Sequence, residues 1–270
     1  MIKKNSVYIE NNTVRKKKND RVIELYDYLD SVDFNNYPKI VDMDEEYMSS
    51  EYINETKKHE ITKGIELIKT VANLHKKTSK LKDVSKNKYR KIYEKILGNI
   101  EYLNNYYEEI ISNIEDTEFM SPSNYLFARN YSLLDSALKY SSDNIKKWFK
   151  LVENKNQERV CVIHNNLSLK HHIKGEQNYL ISFDNYLVDT PVLDLYKFYK
   201  KDGFKLNFNM LLKEYNNIFE LSMEEKMMLN SLISIPPKIE FLNDEYLNCI
   251  NIQDFYNYIR KGILIVNENK

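Results

Sequence analysis

The side chains best suited to chemistry fall in one stretch of the chain. His164-Asn165-Asn166 follows a short apolar run, His171 and His172 come next, and Ser182 and Asp184 stand beyond a loop containing Gly175. Two imidazoles and a carboxylate, here His171, His172 and Asp184, are a ligand set for a transition metal. Adjacent side chains on an extended backbone point to different sides, however, which weighs against both histidines facing one ion. His59 and His75 lie in or beside a helical pattern, where packing is the default reading.

These residues need elements to position them. Arg159-Val160-Cys161-Val162-Ile163 is short and β-branched, and residues 179–184 form a second such run, so the spacing predicts two strands framing a polar turn. Helical patterns surround them at about 60–77, 86–114, 122–140, 142–153, 192–200, 207–220 and 223–234. Ser222 with Glu225 three residues on is a capping box for the last of these, Pro236-Pro237 stops it, and one or two terminal helices reach about residue 262. Upstream, residues 7–10 and 13–16 read as strands around Asn11-Asn12, a pair that tolerates the positive φ of a tight turn. A helix from Asp20 carries Val22, Leu25, Tyr26 and Leu29 on one face, and residues 37–41 and 47–53 predict two more strands. The expected class is α+β, with a small N-terminal antiparallel sheet and one helix over residues 1–55, and a mostly helical remainder over 56–270 that holds the polar hairpin at 160–184.

Composition narrows the function classes. With 40 Lys+Arg against 40 Asp+Glu in 270 residues, the chain has no net field to steer it to nucleic acid or anionic lipid. Cys161 and Cys249 give no disulfide framework, no run approaches the roughly 20 apolar residues of a membrane span, and Met1-Ile-Lys-Lys leads into polar residues; a cytoplasmic protein is expected. Tyrosine is abundant, at 22 residues, but is interleaved with Asn, Lys and Ile everywhere, the pattern of amphipathic rings at core edges. Residues 1–21 hold seven Lys/Arg against two Asp/Glu, and residues 42–60 hold seven Asp/Glu against two Lys, which reads as solvated faces, with a protein or polyanion contact at the hairpin as the alternative.

Motif by motif, the polar stretch resembles the aminoglycoside phosphotransferase and choline kinase-like superfamily, whose fold is the two-lobe, protein-kinase-like one. Residues 162–171, Val-Ile-His-Asn-Asn-Leu-Ser-Leu-Lys-His, resemble its H-G-D-x-x-x-x-N loop, and Ile181-Ser182-Phe183-Asp184 resembles I-D-F-D. Asp189-Thr190-Pro191-Val192-Leu193-Asp194-Leu195 resembles the D-P-x-x-D-L segment that follows, and Ala72-Asn73-Leu74-His75 looks like the L-H ending an earlier helix. The ending that runs on to Tyr199 is most similar to the spore-coat kinase-like branch.

What the resemblance implies is mostly loss. The catalytic Asp is matched by Asn166, an uncharged amide that is no base near neutral pH, and general base catalysis is worth about 10²–10⁴-fold. The two metal-binding positions are matched by His171 and by Ser182, poor ligands for Mg²⁺. Asp184 is the one carboxylate at hand as a metal ligand, against a reading as a capping or surface residue; on a strand it would share a face with Ser182. Arg15 or Lys16 stands where the family has its phosphate-pairing Lys, though Glu24, the family-type partner, falls nearly opposite the apolar stripe of its helix. Only six residues precede the first expected strand, too few for an earlier strand and a glycine-rich phosphate loop. His164 and Asp194 keep scaffold roles, packing under the loop and binding its backbone. The expectation is therefore a pseudokinase serving as a binding or assembly module, spore-coat associated as the resemblance implies, with a protein partner and no resident cofactor. The alternative is an unorthodox phosphotransferase for a small-molecule substrate, using ATP and Mg²⁺ through Asp184.

Overall fold

The computed structural model describes residues 2–4, 7–10, 12–85 and 87–268. In chain order the strands and helices are β1 (Ile2–Lys4), β2 (Val7–Glu10), β3 (Thr13–Lys17), α1 (Asp20–Ser31), β4 (Ile40–Met43), β5 (Tyr47–Glu51), α2 (Glu60–Thr78) and β6 (Lys80–Asp83). They continue as α3 (Lys88–Glu115), α4 (Pro122–Arg129), α5 (Tyr131–Val152), β7 (Gln157–Ile163), β8 (His172–Lys174), β9 (Asn178–Leu180), β10 (Leu187–Asp189), α6 (Val192–Lys201), α7 (Phe208–Ile218), α8 (Met223–Ser234) and α9 (Glu245–Glu268). The class is α+β, as the sequence implies.

The chain groups into two compact units. The first takes the described residues of Met1–Leu81 together with Arg159–Glu220. Its sheet has the order β1-β2-β3-β5-β4, antiparallel throughout, with Lys16 opposite Met48. Helix α1 buries Val22, Leu25, Tyr26 and Leu29, the face its i, i+3, i+4, i+7 spacing dictates. Tyr37 stacks on Tyr26 at 4.2 Å and donates its hydroxyl to the Tyr26 carbonyl at 3.0 Å. Helix α2 buries Leu67, Ile68, Val71, Ala72 and Leu74, so its apolar side alone exceeds what a helix of its polarity could leave in water. Within this unit Asn36 is stitched to β9: its side-chain amide donates to the Asn178 carbonyl and the Leu180 N–H donates to the Asn36 carbonyl, each at 2.8 Å.

The second unit takes the described residues of Lys82–Glu158 with Leu221–Lys270 and is built on helices α3, α4, α5, α8 and α9. Helix α5 presents Leu134, Ala137, Leu138, Ser141, Ile145, Trp148 and Val152 as one buried stripe. Some tyrosines lie in the core rather than at its edge: Tyr107 is fully buried with its hydroxyl on the Pro237 carbonyl at 2.5 Å, and buried Tyr256 reaches the Phe127 carbonyl at 2.9 Å. The Ser222–Glu225 capping box forms in full.

Several boundaries differ from expectation. A strand β1 does precede the hairpin, pairing Ile2 with Ile9, so six residues suffice for one; the residues joining β1 to β2, Asn5 and Ser6, lie outside those described, as does Asn11 of the next turn. Asn12 of that turn has φ 61°, the positive value expected of it. The break expected near residue 141 falls at Asn130 instead. Ser141, which reads as polar punctuation, is buried, and its hydroxyl donates to the Ser231 carbonyl at 2.8 Å. Residues 179–184 are not one strand paired with 159–163: β7 pairs with β10, and β8 pairs with β9. The period-two pattern could not show this, because the chain turns at Ser182.

Ser141 and Ser231 also share a hydroxyl contact at 3.2 Å, and the Ser231 hydroxyl donates to the Ser141 carbonyl at 2.9 Å. Each single Ser→Ala change should cost about 1 kcal/mol. The double change should cost measurably less than the sum in urea unfolding, since the shared contact is lost once.

Candidate functional site

Strand β7 delivers His164 at its end, where Asn165 takes φ 62°, a left-handed conformation that Asn tolerates better than most residues. The turn is held from below by Asp194, which α6 buries completely. Its carboxylate accepts the N–H groups of His164 at 2.7 Å and Asn165 at 2.6 Å, and lies 3.2 Å from His75 Nε2. Burial alone would raise this carboxyl, but the hydrogen bond and charge of His75, with His164, hold it below the usual carboxylate range. An ionised carboxylate only accepts, so His75 carries a proton on Nε2, and its Nδ1 lies 2.7 Å from the Tyr215 hydroxyl.

His164 is fully buried and donates from Nε2 to the Ile181 carbonyl at 2.8 Å. Its ring lies 5.2 Å from that of His171 and 5.0 Å from that of Phe183. His171 donates from Nδ1 to the Asn166 carbonyl at 2.7 Å, and the Ile181 N–H donates to the His171 carbonyl at 3.0 Å. Burial, then the neighbouring His164, pushes His171 below the ordinary imidazole range. The side-chain oxygen of Asn166 accepts from the Lys201 ammonium.

Ser182 has φ 66° and ψ 51°, and the chain then enters a short 3-10 turn, Phe183–Asn185. Asp184 sits in that turn, not on a strand, so the same-face argument linking it to Ser182 does not apply. Its carboxylate, 45% exposed, lies 3.4 Å from Lys16 Nζ. Within the first unit, Asn166 and His171 are joined by a hydrogen bond beside His164, and Asp184, next to Phe183, meets Lys16. Arg15 is in neither contact: its guanidinium pairs with Asp44 at 2.5 Å and lies over the Tyr47 ring. Glu24 is exposed.

His172 goes elsewhere. It is fully buried, neither ring nitrogen meets a hydrogen-bond partner among the described residues, and burial pushes it down to about 4, with Glu66 of α2 opposing. The two adjacent histidines have different neighbours, and among the described residues no group of three His, Cys, Asp or Glu side chains is placed to hold a metal ion. Nor do the residues at the family's metal positions fit Mg²⁺: Ser182 is neutral, His171 spends Nδ1 on Asn166, and Asp184 faces an ammonium, whereas Mg²⁺ favours charged oxygens. His59 caps α2 through Nδ1. Sequence reasoning missed His75, Lys197 and Lys201 as neighbours of the loop. Lys197 donates to the Asn165 carbonyl at 3.2 Å and to its side-chain oxygen. Asp194, Lys197 and Lys201 are spaced i, i+3, i+7 on α6, a helical-face signal present in the sequence.

No family model matches the chain, and no curated protein does. Among solved structures, the fold is similar to that of an aminoglycoside phosphotransferase from Alicyclobacillus acidocaldarius, with a TM-score of 0.70 at 9% identity, covering 97% of this chain and 90% of that one. At that identity the likeness shows the fold: this chain has the kinase-like phosphotransferase fold. Lower scores are found with spectinomycin phosphotransferase APH(9)-Ia (TM-score 0.48, 14% identity, 95% and 83% covered) and choline kinase LicA from Streptococcus pneumoniae (0.44, 12%, 97% and 89%). No helix among the described residues is long and apolar enough to cross a membrane.

Asp194→Ala should destabilise the fold by about 3–5 kcal/mol in denaturant unfolding, since it leaves buried donors unpaired; Asp194→Asn should cost less. His172 is depressed in the folded state, so the unfolded chain binds a proton that the native chain refuses between pH 6.5 and about 4. Stability should therefore be full above pH 6.5 and fall on acidification to about pH 4, by on the order of 2–3 kcal/mol. His172→Leu should flatten that slope, read from unfolding at pH 7 and pH 4.5. The depressed carboxyl of Asp194 adds a loss only at lower pH, below the ordinary carboxylate value.

Proposed function

We propose that this protein is a pseudokinase, a kinase-fold chain that uses its loop region for binding or assembly rather than phosphoryl transfer. The observation that carries the reading is the state of Asn166. It stands where the resembling family has its catalytic Asp, has no carboxylate, and its side-chain oxygen is engaged by Lys201. The scaffold beneath it, His164 and Asp194, is intact. A loop whose shape is maintained while its charged groups are replaced favours recognition over chemistry. On this reading the ligand or partner meets the loop and the Lys16–Asp184 pair, in a cytoplasmic setting that the composition favours or a spore-coat setting that the family resemblance favours.

A second reading has one observation in its favour. Asp184 is a partly exposed carboxylate beside Lys16, so an ammonium and a carboxylate are paired where nucleotide phosphates and a metal would meet in an active relative. On that reading the protein is an unorthodox small-molecule phosphotransferase.

ATP consumption by three proteins, assayed with Mg²⁺ and candidate hydroxylated or amino substrates, separates the two. Wild type and Asp184→Asn should show none above background. The combined variant Asn166→Asp, His171→Asn, Ser182→Asp should gain Mg²⁺ affinity but little transfer, because positioning carries much of phosphoryl transfer and the neighbours of the loop are unchanged. Asp is tolerated at the left-handed Ser182 position, so that variant should fold. Wild-type turnover that disappears in Asp184→Asn would show the pseudokinase reading to be wrong.

A further inference from the structure

The charges around the loop specify what it binds. The Lys197 ammonium rests on the carbonyl and side-chain oxygens of Asn165, and the Lys201 ammonium on the side-chain oxygen of Asn166. Every one of these acceptors is neutral, and among the described residues neither lysine has a carboxylate partner. The carboxylates nearby are committed to backbone donors: Asp194 to His164 and Asn165, and Asp202 to the Leu169 N–H at 2.8 Å. Asp184 faces Lys16. Lys170, within the loop, adds an exposed ammonium.

The two ammonium groups rest on neutral amide oxygens, so side by side they make a locally positive patch on the loop, while the carboxylates of Asp194 and Asp202 turn to backbone donors. Residues four apart on a helix are neighbours, so one multiply charged anion can meet both head groups. A divalent cation at the same place would face two like charges. We propose that the loop 164–171 and α6 form an anion site that takes a phosphate-bearing ligand without a divalent cation, Lys197 and Lys201 supplying the positive charge that a metal would otherwise bring. This rests on the reading of the loop as a binding site rather than a transfer site. The exposed Lys201 closes over the ligand, and the half-buried Lys197 fixes its depth.

The test is titration calorimetry of the full chain with inorganic pyrophosphate in EDTA, repeated after adding Mg²⁺ and at raised sodium chloride. Binding should occur in EDTA and weaken with salt. It should fall at least tenfold in Lys197→Gln/Lys201→Gln and severalfold in Lys201→Gln alone, a change at an exposed side chain that the fold should accept. Lys197→Arg/Lys201→Arg should retain it. The proposal is overturned by absence of binding in EDTA, by binding that needs Mg²⁺, or by equal affinity in wild type and Lys201→Gln. ATP turnover by the wild type would remove the pseudokinase reading without touching this result, and a silent enzyme that ignores pyrophosphate would remove the anion site alone.

Discussion

A single carboxylate, that of Asp194, is buried without exposed surface and gathers three donors from two distant parts of the chain. It takes two successive backbone N–H groups at the end of β7 and the Nε2–H of His75 near the end of α2. Ionised carboxylates are costly to bury unless their lone pairs are all used, and here the donors are fixed by a strand end and a helix. The left-handed turn at Asn165 depends on it, because both amides that the turn exposes point to the same acceptor. Everything that decorates the loop, from the His171–Asn166 bond to the lysines of α6, is set on that support.

The support and the decoration follow different logics. Beneath the loop, Asp194 uses its buried carboxylate on three donors, while His164 Nδ1 is buried with no hydrogen-bond partner among the described residues. Above it, neutral side chains stand at the positions where charge would do chemistry, and the positive charge comes from Lys16, Lys197 and Lys201. An arrangement of this kind holds shape without a carboxylate at Asn166, and it is the ground for the binding role and the anion site proposed above. The Lys16–Asp184 pair belongs to the same pattern. It is half open to water, so its Coulombic contribution to stability is small, about 1 kcal/mol or less, and it can be exchanged for a ligand at little cost.

The legible parts of the molecule were those written in local pattern. Apolar spacing located α1, α2, α6 and α8 within a residue or two, and the Ser222–Glu225 box marked its helix start. Order and spacing of motifs pointed to the phosphotransferase fold, which no single element could. What stayed hidden was tertiary. β1 and β10 are three residues each, too short for periodicity to register, and exist because a neighbouring strand completes their hydrogen bonds. Ser141 reads as a break but is buried against Ser231, ninety residues away. His75 reads as a packing histidine, and only the fold brings it to Asp194. The contacts of Lys197 and Lys201 depend in turn on where that carboxylate anchors the loop.

The first compact unit is discontinuous: the segment 82–158 interrupts it before Arg159–Glu220 completes it. During synthesis the N-terminal part emerges with α2 formed but Leu67, Ile68, Val71 and Leu74 lacking the elements that will cover them. At a ribosomal rate of about 5–20 residues per second, that apolar face waits on the order of ten seconds for α6 and α7 to arrive. His75 waits with it, since its carboxylate partner lies 119 residues downstream. The nascent chain therefore carries an exposed helix for much of its own translation, and the step that buries it is also the step that shapes the loop.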